Sequence, residues 1–162
     1  MKSSPDKSLR AHLLYVLQGG GAHAKFEDVV GDLPVALRGK KVEALPYTAW
    51  MLLEHMRIAQ RDILDFSINP KYKEMEWPAA YWPSSGAPAD AAAWNQSIKE
   101  FQRDLKAIED LVANPRTDLY AKIAWGTGQT ILREALLVAD HNGYHLGQLV
   151  TLRRLLGAWP EG

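Results

Sequence analysis

The chain contains no cysteine. Disulfides, thiolate zinc sites and a cysteine nucleophile are therefore excluded at once. No apolar run approaches the ~20 residues needed to cross a bilayer. The first residues, Met1 to Lys7, are polar and lack the apolar stretch of a secretory signal. Excess charge of either sign is missing too: 19 Lys and Arg stand against 19 Asp and Glu. Nothing in that balance favours nucleic acid or an acidic membrane as a partner. Strand-like alternation is scarce throughout. These absences lead us to expect a cytoplasmic, all-α protein acting on a small molecule, with no nucleic-acid or membrane partner.

Hydrophobic residues make up 47% of the chain and charged residues 23%, which argues for a folded state rather than disorder. A length of 162 residues suits a single domain with one substantial core, over 1–162, with 1–7 as a flexible tail.

Four segments carry helical periodicity. The first begins near Leu9, with Leu9, Leu13 and Val16 on one face. Gly19-Gly20-Gly21 interrupts it and is expected to break or kink the helix. The pattern resumes from Ala22 to Val30, with His23, Phe26 and Val30 sharing a face. The second segment runs from Ala49 to Phe66, with Thr48 as its N-cap. At 100° per residue, Thr48, Met51, Leu52, His55, Ala59, Asp62 and Phe66 fall on one side, and Trp50, Leu53 and Leu64 on the other. Such a helix is covered on two sides. The third segment, Asp90 to Val112, places Trp94, Ile98, Phe101, Leu105, Ile108 and Val112 on one face. Its charged residues, Asp104 among them, read as a solvated face with no metal ligand to offer. The fourth runs from Thr130 to Leu156, capped by Gly157 with Pro160 beyond. The connection 115–129 is expected to be partly extended. Residues 67–89 form a long loop rich in aromatics, which reads either as a lid or as a strap pinned to the helices. Four helices joined this way predict a four-helix bundle with a long loop between helices 2 and 3.

Two of the five histidines, His141 and His145, stand four residues apart in the last segment. On a helix they share a face, with Cβ atoms roughly 5–6 Å apart, which lets both imidazoles reach one ion. His55 faces inward from the second segment. Three histidines from two helices, with no thiolate available, point to an open metal site that leaves a position for water or substrate. Neutral imidazole suits a divalent transition metal, zinc or nickel above all, with copper and iron as further options. The spacing is also that of the zincin His-Glu-x-x-His motif. Here Asn142 stands where that motif needs a glutamate base, so a protease of that type is disfavoured.

Other polar residues surround this constellation. Gln148 lies one turn from His145, and Tyr144 lies on its flank; both are candidate catalytic residues. Glu54, Asp62, Glu134 and Asp140 are candidates for supporting a ligand or touching substrate. Asp62 and Glu134 sit two turns from their histidines, about 10 Å along the axis, and are expected to pair with arginine or line a cavity. His12 and His23 are expected to be exposed or satisfied locally. Ala139, Gly143 and Gly147 form a small-residue stripe, which suggests close approach by another helix or by a second copy of the chain.

Asp140-His141-Asn142-x-Tyr144-His145-x-Gly147-Gln148, with Leu152-Arg153-Arg154-x-Leu156-Gly157-x-Trp159-Pro160 after it, resembles the C-terminal helix of the DinB-like family. Trp50-x-Leu52-Leu53-Glu54-His55 after Tyr47-Thr48 is similar to that family's second-helix histidine motif. The order of elements fits across nearly the whole chain. The resemblance implies a four-helix bundle, often a homodimer, with a metal held by His55, His141 and His145. It further implies, for some members, transfer of a low-molecular-weight thiol such as bacillithiol or mycothiol. A metal-dependent hydrolase and a non-catalytic metal- or small-molecule-binding protein stay open beside that reading.

Overall fold

A computed structural model describes residues 4–160. Among them the chain is helical, without a strand: α1 (Pro5–Gln18), α2 (Phe26–Val30), α3 (Ala49–Ile68), α4 (Ala91–Ala113) and α5 (Ile131–Leu155), with short 3-10 turns at Val35–Leu37 and Ala79–Tyr81. No helix among the described residues is long and apolar enough to cross a membrane. The expected extension within 115–129 amounts to one isolated antiparallel bridge, Lys122 to Thr130.

Each long helix starts on a side-chain cap. Ser4, Thr48, Asp90 and Thr130 accept from the backbone N–H of Lys7, Met51, Ala93 and Arg133 respectively. Each such cap satisfies an otherwise orphaned donor and contributes about 1 kcal/mol. The first periodic segment is broken outright. Gly19 and Gly20 take φ of 65° and 78°, a region that side-chain-bearing residues enter at a cost. α1 begins at Pro5, inside the stretch expected to be a tail; residues 1–3 lie outside the described residues. At the far end, Gly157 follows α5 with φ of 68°, and its N–H reaches the Arg154 carbonyl at 3.0 Å.

α3 packs against both α4 and α5, and α1 packs against the same two helices. α3 is buried on two sides, as its pattern predicts: Leu52, His55, Met56 and Ala59 on one, Trp50, Leu53 and Leu64 on the other. Trp94, Phe101, Ile108 and Val112 bury one face of α4, and Phe101 stacks on Phe26 of α2 with centroids 3.9 Å apart. Each of these side chains contributes about 1.5–3 kcal/mol by leaving water. Two sequence expectations fail here. Val16 is exposed and Leu17 takes the inward position, because the face of α1 turns one residue further round. Asp104 is not on a solvated face: it is buried, paired with Arg103 at 2.9 Å and Arg61 at 3.6 Å.

A buried amide pair ties three helices together. Gln60 on α3 donates Nε2 to the Phe101 carbonyl of α4 at 2.7 Å, and its Oε1 accepts from Asn142 Nδ2 of α5 at 2.9 Å. Replacing Gln60 by Leu strips a partner from the buried Asn142 amide. The expected loss is about 2–3 kcal/mol, read as a lower urea midpoint. An unchanged midpoint would show that the amide pair does not constrain the helices.

Candidate metal centre

His55 lies in the middle of α3, and His141 and His145 lie one turn apart on the face of α5 that meets it. The three rings converge. Ring centroids are 4.9 Å apart for His55 and His141, 4.6 Å for His55 and His145, and 4.4 Å for His141 and His145. The Nε2 atoms of His141 and His145 each lie 3.1 Å from Nε2 of His55. Among the described residues this is the one group of three or more His, Asp or Glu side chains placed to hold a metal ion.

The outer nitrogens decide what those short contacts are. His55 Nδ1 sits 2.8 Å from the backbone carbonyl of Tyr81. A carbonyl only accepts, so Nδ1 carries the proton and Nε2 presents a lone pair. His145 Nδ1 sits 2.7 Å from Gln148 Oε1, which imposes the same tautomer. Two lone pairs therefore face each other across 3.1 Å, an arrangement that calls for a shared cation. Metal–nitrogen bonds of about 2.0–2.1 Å meeting at tetrahedral or slightly narrower angles place ligand nitrogens roughly 3.0–3.4 Å apart, so the donor set fits a divalent transition metal.

His141 is held more loosely. Its Nδ1 and the neighbouring Asn142 Oδ1 are both buried and neither makes a well-formed hydrogen bond. The Asn142 oxygen raises the ring's pKa only against larger opposing effects: burial first, then His145 and His55, bring His141 down to about 4. Burial also lowers His55, against the pull of the Tyr81 carbonyl. It lowers His145 as well, against Gln148. All three imidazoles are thus neutral near pH 7, with lone pairs available to a metal.

Aromatic side chains close the surroundings. Trp82 stacks on His55 at 4.0 Å with rings 5° from parallel. Tyr144, an exposed ring, stands edge-on to His145 at 4.9 Å, and its hydroxyl accepts from Gln148 Nε2 at 3.2 Å. Gln148 therefore grips both His145 and Tyr144. Two open cavities flank α5. One, about 580 Å³, runs along α1 and includes Tyr15, His23, Asp140 and Tyr144. The other, about 520 Å³, is lined by Asp62, Tyr72, Tyr81, Arg133 and Glu134 among others. None of the three histidines lines either cavity.

The remaining candidates lie away from the rings. Glu54 turns toward α4: burial pushes its carboxyl up, but hydrogen bonds from Arg57 and Ser97 outweigh this and hold it below the usual range. Glu134 is buried against Arg133 at 2.8 Å, the arginine partner expected. Asp62 lines the second cavity, as expected, and accepts from Tyr72 at 3.0 Å and Tyr81 at 2.7 Å. Burial and Asp62 together raise both hydroxyls, that of Tyr72 to about 12. Asp140, His12 and His23 are exposed. His23 contacts the Ala24 carbonyl and covers Gly143, where an added Cβ would come within 3.3 Å of its ring. Gly147 faces open space. Sequence reasoning missed Trp82 and the Tyr81 carbonyl. The loop's aromatic content hinted at the first; nothing in residue type signals a backbone acceptor.

No protein-family model, curated protein or solved structure matches the chain.

Purified protein is expected to carry about one divalent ion per chain by elemental analysis. His141→Ala should lose most of it, and Gln148→Ala should weaken affinity about ten- to a hundred-fold. Equal metal content in the wild type and His141→Ala would mean that any ion sits elsewhere.

Proposed function

We propose that the chain is a DinB-like four-helix bundle that holds one divalent transition metal, zinc or nickel, through His55, His141 and His145, and transfers a low-molecular-weight thiol to an electrophile. The observation that carries this reading is the meeting of three Nε2 atoms, two of them fixed as lone-pair donors by partners behind their rings. The quoted motifs of α3 and α5 support the family assignment, and the pairing of α3 and α1 with both α4 and α5 supports the bundle. With three protein donors, a position remains for a small molecule. A divalent cation at the triad would supply the Lewis acidity that lowers the pKa of a thiol bound beside it.

The chain's own residues then divide the work. Gln148 keeps the His145 proton on Nδ1, and Tyr81 does the same for His55 through its carbonyl. Trp82 covers one side of His55 and keeps water from it. The Tyr144 hydroxyl, gripped by Gln148 on the exposed side, is free to donate to an oxygen on the electrophile or its leaving group. In the transfer the thiol proton passes to solvent, the sulfur–carbon bond forms, and the leaving group departs with its electron pair. Bacillithiol and mycothiol are the thiols the family resemblance suggests. A metal-dependent hydrolase is less well supported, since Glu54, Asp62 and Glu134 are all engaged elsewhere and leave no carboxylate base at the rings. The second reading is a non-catalytic binding protein, favoured by one observation: the triad lines neither open cavity.

We also infer a homodimer formed through the outer sides of α3 and α5. Gly147 and the exposed Leu136 and Tyr144 support it, whereas Gly143 is already covered within the chain by His23. A cytoplasmic site of action accords with the use of such thiols and with a chain that has no cysteine.

Metal-loaded protein mixed with bacillithiol, mycothiol or glutathione and 1-chloro-2,4-dinitrobenzene should release chloride and form the thioether faster than buffer. His141→Ala should return the rate to background. Background rates with every thiol, from protein shown to carry metal, would favour the binding protein. Light scattering should give twice the 18.1 kDa chain mass at micromolar concentration; a strictly monomeric mass would remove the dimer.

A further inference from the structure

We propose that Asp62, two turns along α3 from His55, is a positioning residue of the triad, acting through the loop that follows α3. The inference rests on the metal-site reading, but its geometry stands without a metal. A neutral imidazole has one N–H, and the group behind the ring decides which nitrogen carries it. For His55 that group is the backbone carbonyl of Tyr81 at 2.8 Å. A carbonyl on a helix would be fixed by the helix. This one belongs to the connection between α3 and α4, whose regular structure among the described residues is the single turn Ala79–Tyr81. The turn's backbone bonds, Tyr81 N–H to the Pro78 carbonyl at 3.1 Å and Trp82 N–H to the Ala79 carbonyl at 3.4 Å, are local to the loop, so side chains fasten it to α3.

Asp62 supplies that hold. Its Oδ2 accepts from the Tyr81 hydroxyl at 2.7 Å and its Oδ1 from the Tyr72 hydroxyl at 3.0 Å. One carboxylate therefore clasps two separate points of the loop, each oxygen taking one hydroxyl. Tyr81 is gripped at both ends: its phenol by Asp62 and its carbonyl by the His55 ring. The next residue, Trp82, lies flat on His55 at 4.0 Å, so the same clasp seats the stacking ring. Further along, Thr48 Oγ1 donates to the Gly86 carbonyl at 2.6 Å. That second anchor keeps the end of the loop attached when the Asp62 clasp opens, so the expected result is a shift near His55 rather than loss of the whole loop. Both tyrosines are half-buried, and a hydroxyl donating to a carboxylate makes a charge-assisted bond, stronger than one between neutral groups.

The test reads the His55 tautomer in metal-free protein by ¹⁵N NMR of the imidazoles, and Co²⁺ affinity by the visible spectrum of the bound ion. Asp62→Ala, and separately Tyr72→Phe/Tyr81→Phe, should each move His55 from a single Nδ1–H tautomer to a mixture. Each should also weaken Co²⁺ binding about ten- to a hundred-fold. Asp62→Asn, which can still bond both hydroxyls, should stay close to wild type. The double tyrosine variant leaves α3 untouched, so it decides the matter should Asp62→Ala fail to fold. An unchanged His55 tautomer in the folded double variant would overturn the proposal. If wild type binds no Co²⁺ while the tautomer still shifts in the variants, the positioning role survives and the metal-site reading fails.

Discussion

The site depends on the register of α3 against α5, and that register is held by a hydrogen-bonded chain through the core. The Phe101 carbonyl of α4 accepts from Gln60 of α3, and Gln60 accepts from Asn142 of α5. Apolar packing alone tolerates sliding, because one aliphatic contact substitutes for another at little cost. Buried amides do not tolerate it: a slip of one residue, about 1.5 Å and 100° on a helix, leaves donors and acceptors stranded at about 1–3 kcal/mol each. Asn142 adjoins His141 in sequence, and Gln60 lies on the same helix as His55. Fixing the amides therefore fixes the histidines, and three Nε2 atoms meet where a small slip would separate them.

The three rings are held from behind in different ways. His145 is supported within its own helix, since Gln148 is one turn away on α5. His55 depends on a carbonyl from the loop. His141 has only the Asn142 oxygen beside its Nδ1, without a sound hydrogen bond. The inner half of the centre, where the Nε2 atoms meet, is thus made by rigid helices, and the outer half becomes less local from one ring to the next. Support of this kind sets how readily a ligand swings in and out. It makes His145 the firmest arm of the site and His141 the most easily displaced.

The helices, the Thr48 cap and the three histidines were legible in the sequence because each follows a local rule. Periodicity sets the faces of α3, α4 and α5, and Thr48 sits where an N-cap is needed. The departures come where a non-local partner decides. Asp104 reads as solvated among its charged neighbours, yet Arg61 of α3 and Arg103 pair with it as it is buried. Asp62 lines a cavity, one of the two roles expected of it, but its tyrosine partners come from a loop whose path no periodicity describes. Glu54 stands next to His55 in sequence, but adjacent helical residues differ by 100° in direction, and it faces α4 instead. Trp82 and the Tyr81 carbonyl reach His55 only through that loop.

Asn142 shows how residue type and direction combine. By type, an amide where the zincin pattern has glutamate removes the general base. By direction, the position is unsuited to one in any case. Its side chain is buried, donates to Gln60, and lies on the Nδ1 side of His141, whereas a cation would sit on the Nε2 side with His55 and His145. A carboxylate there would meet Gln60 Oε1 as acceptor against acceptor, in a place where burial already disfavours charge. The two histidines share the spacing of a protease motif, but the residue between them is bound to the packing of α3 against α5. The chemistry left to the site is what three neutral imidazoles placed to hold one metal ion can support.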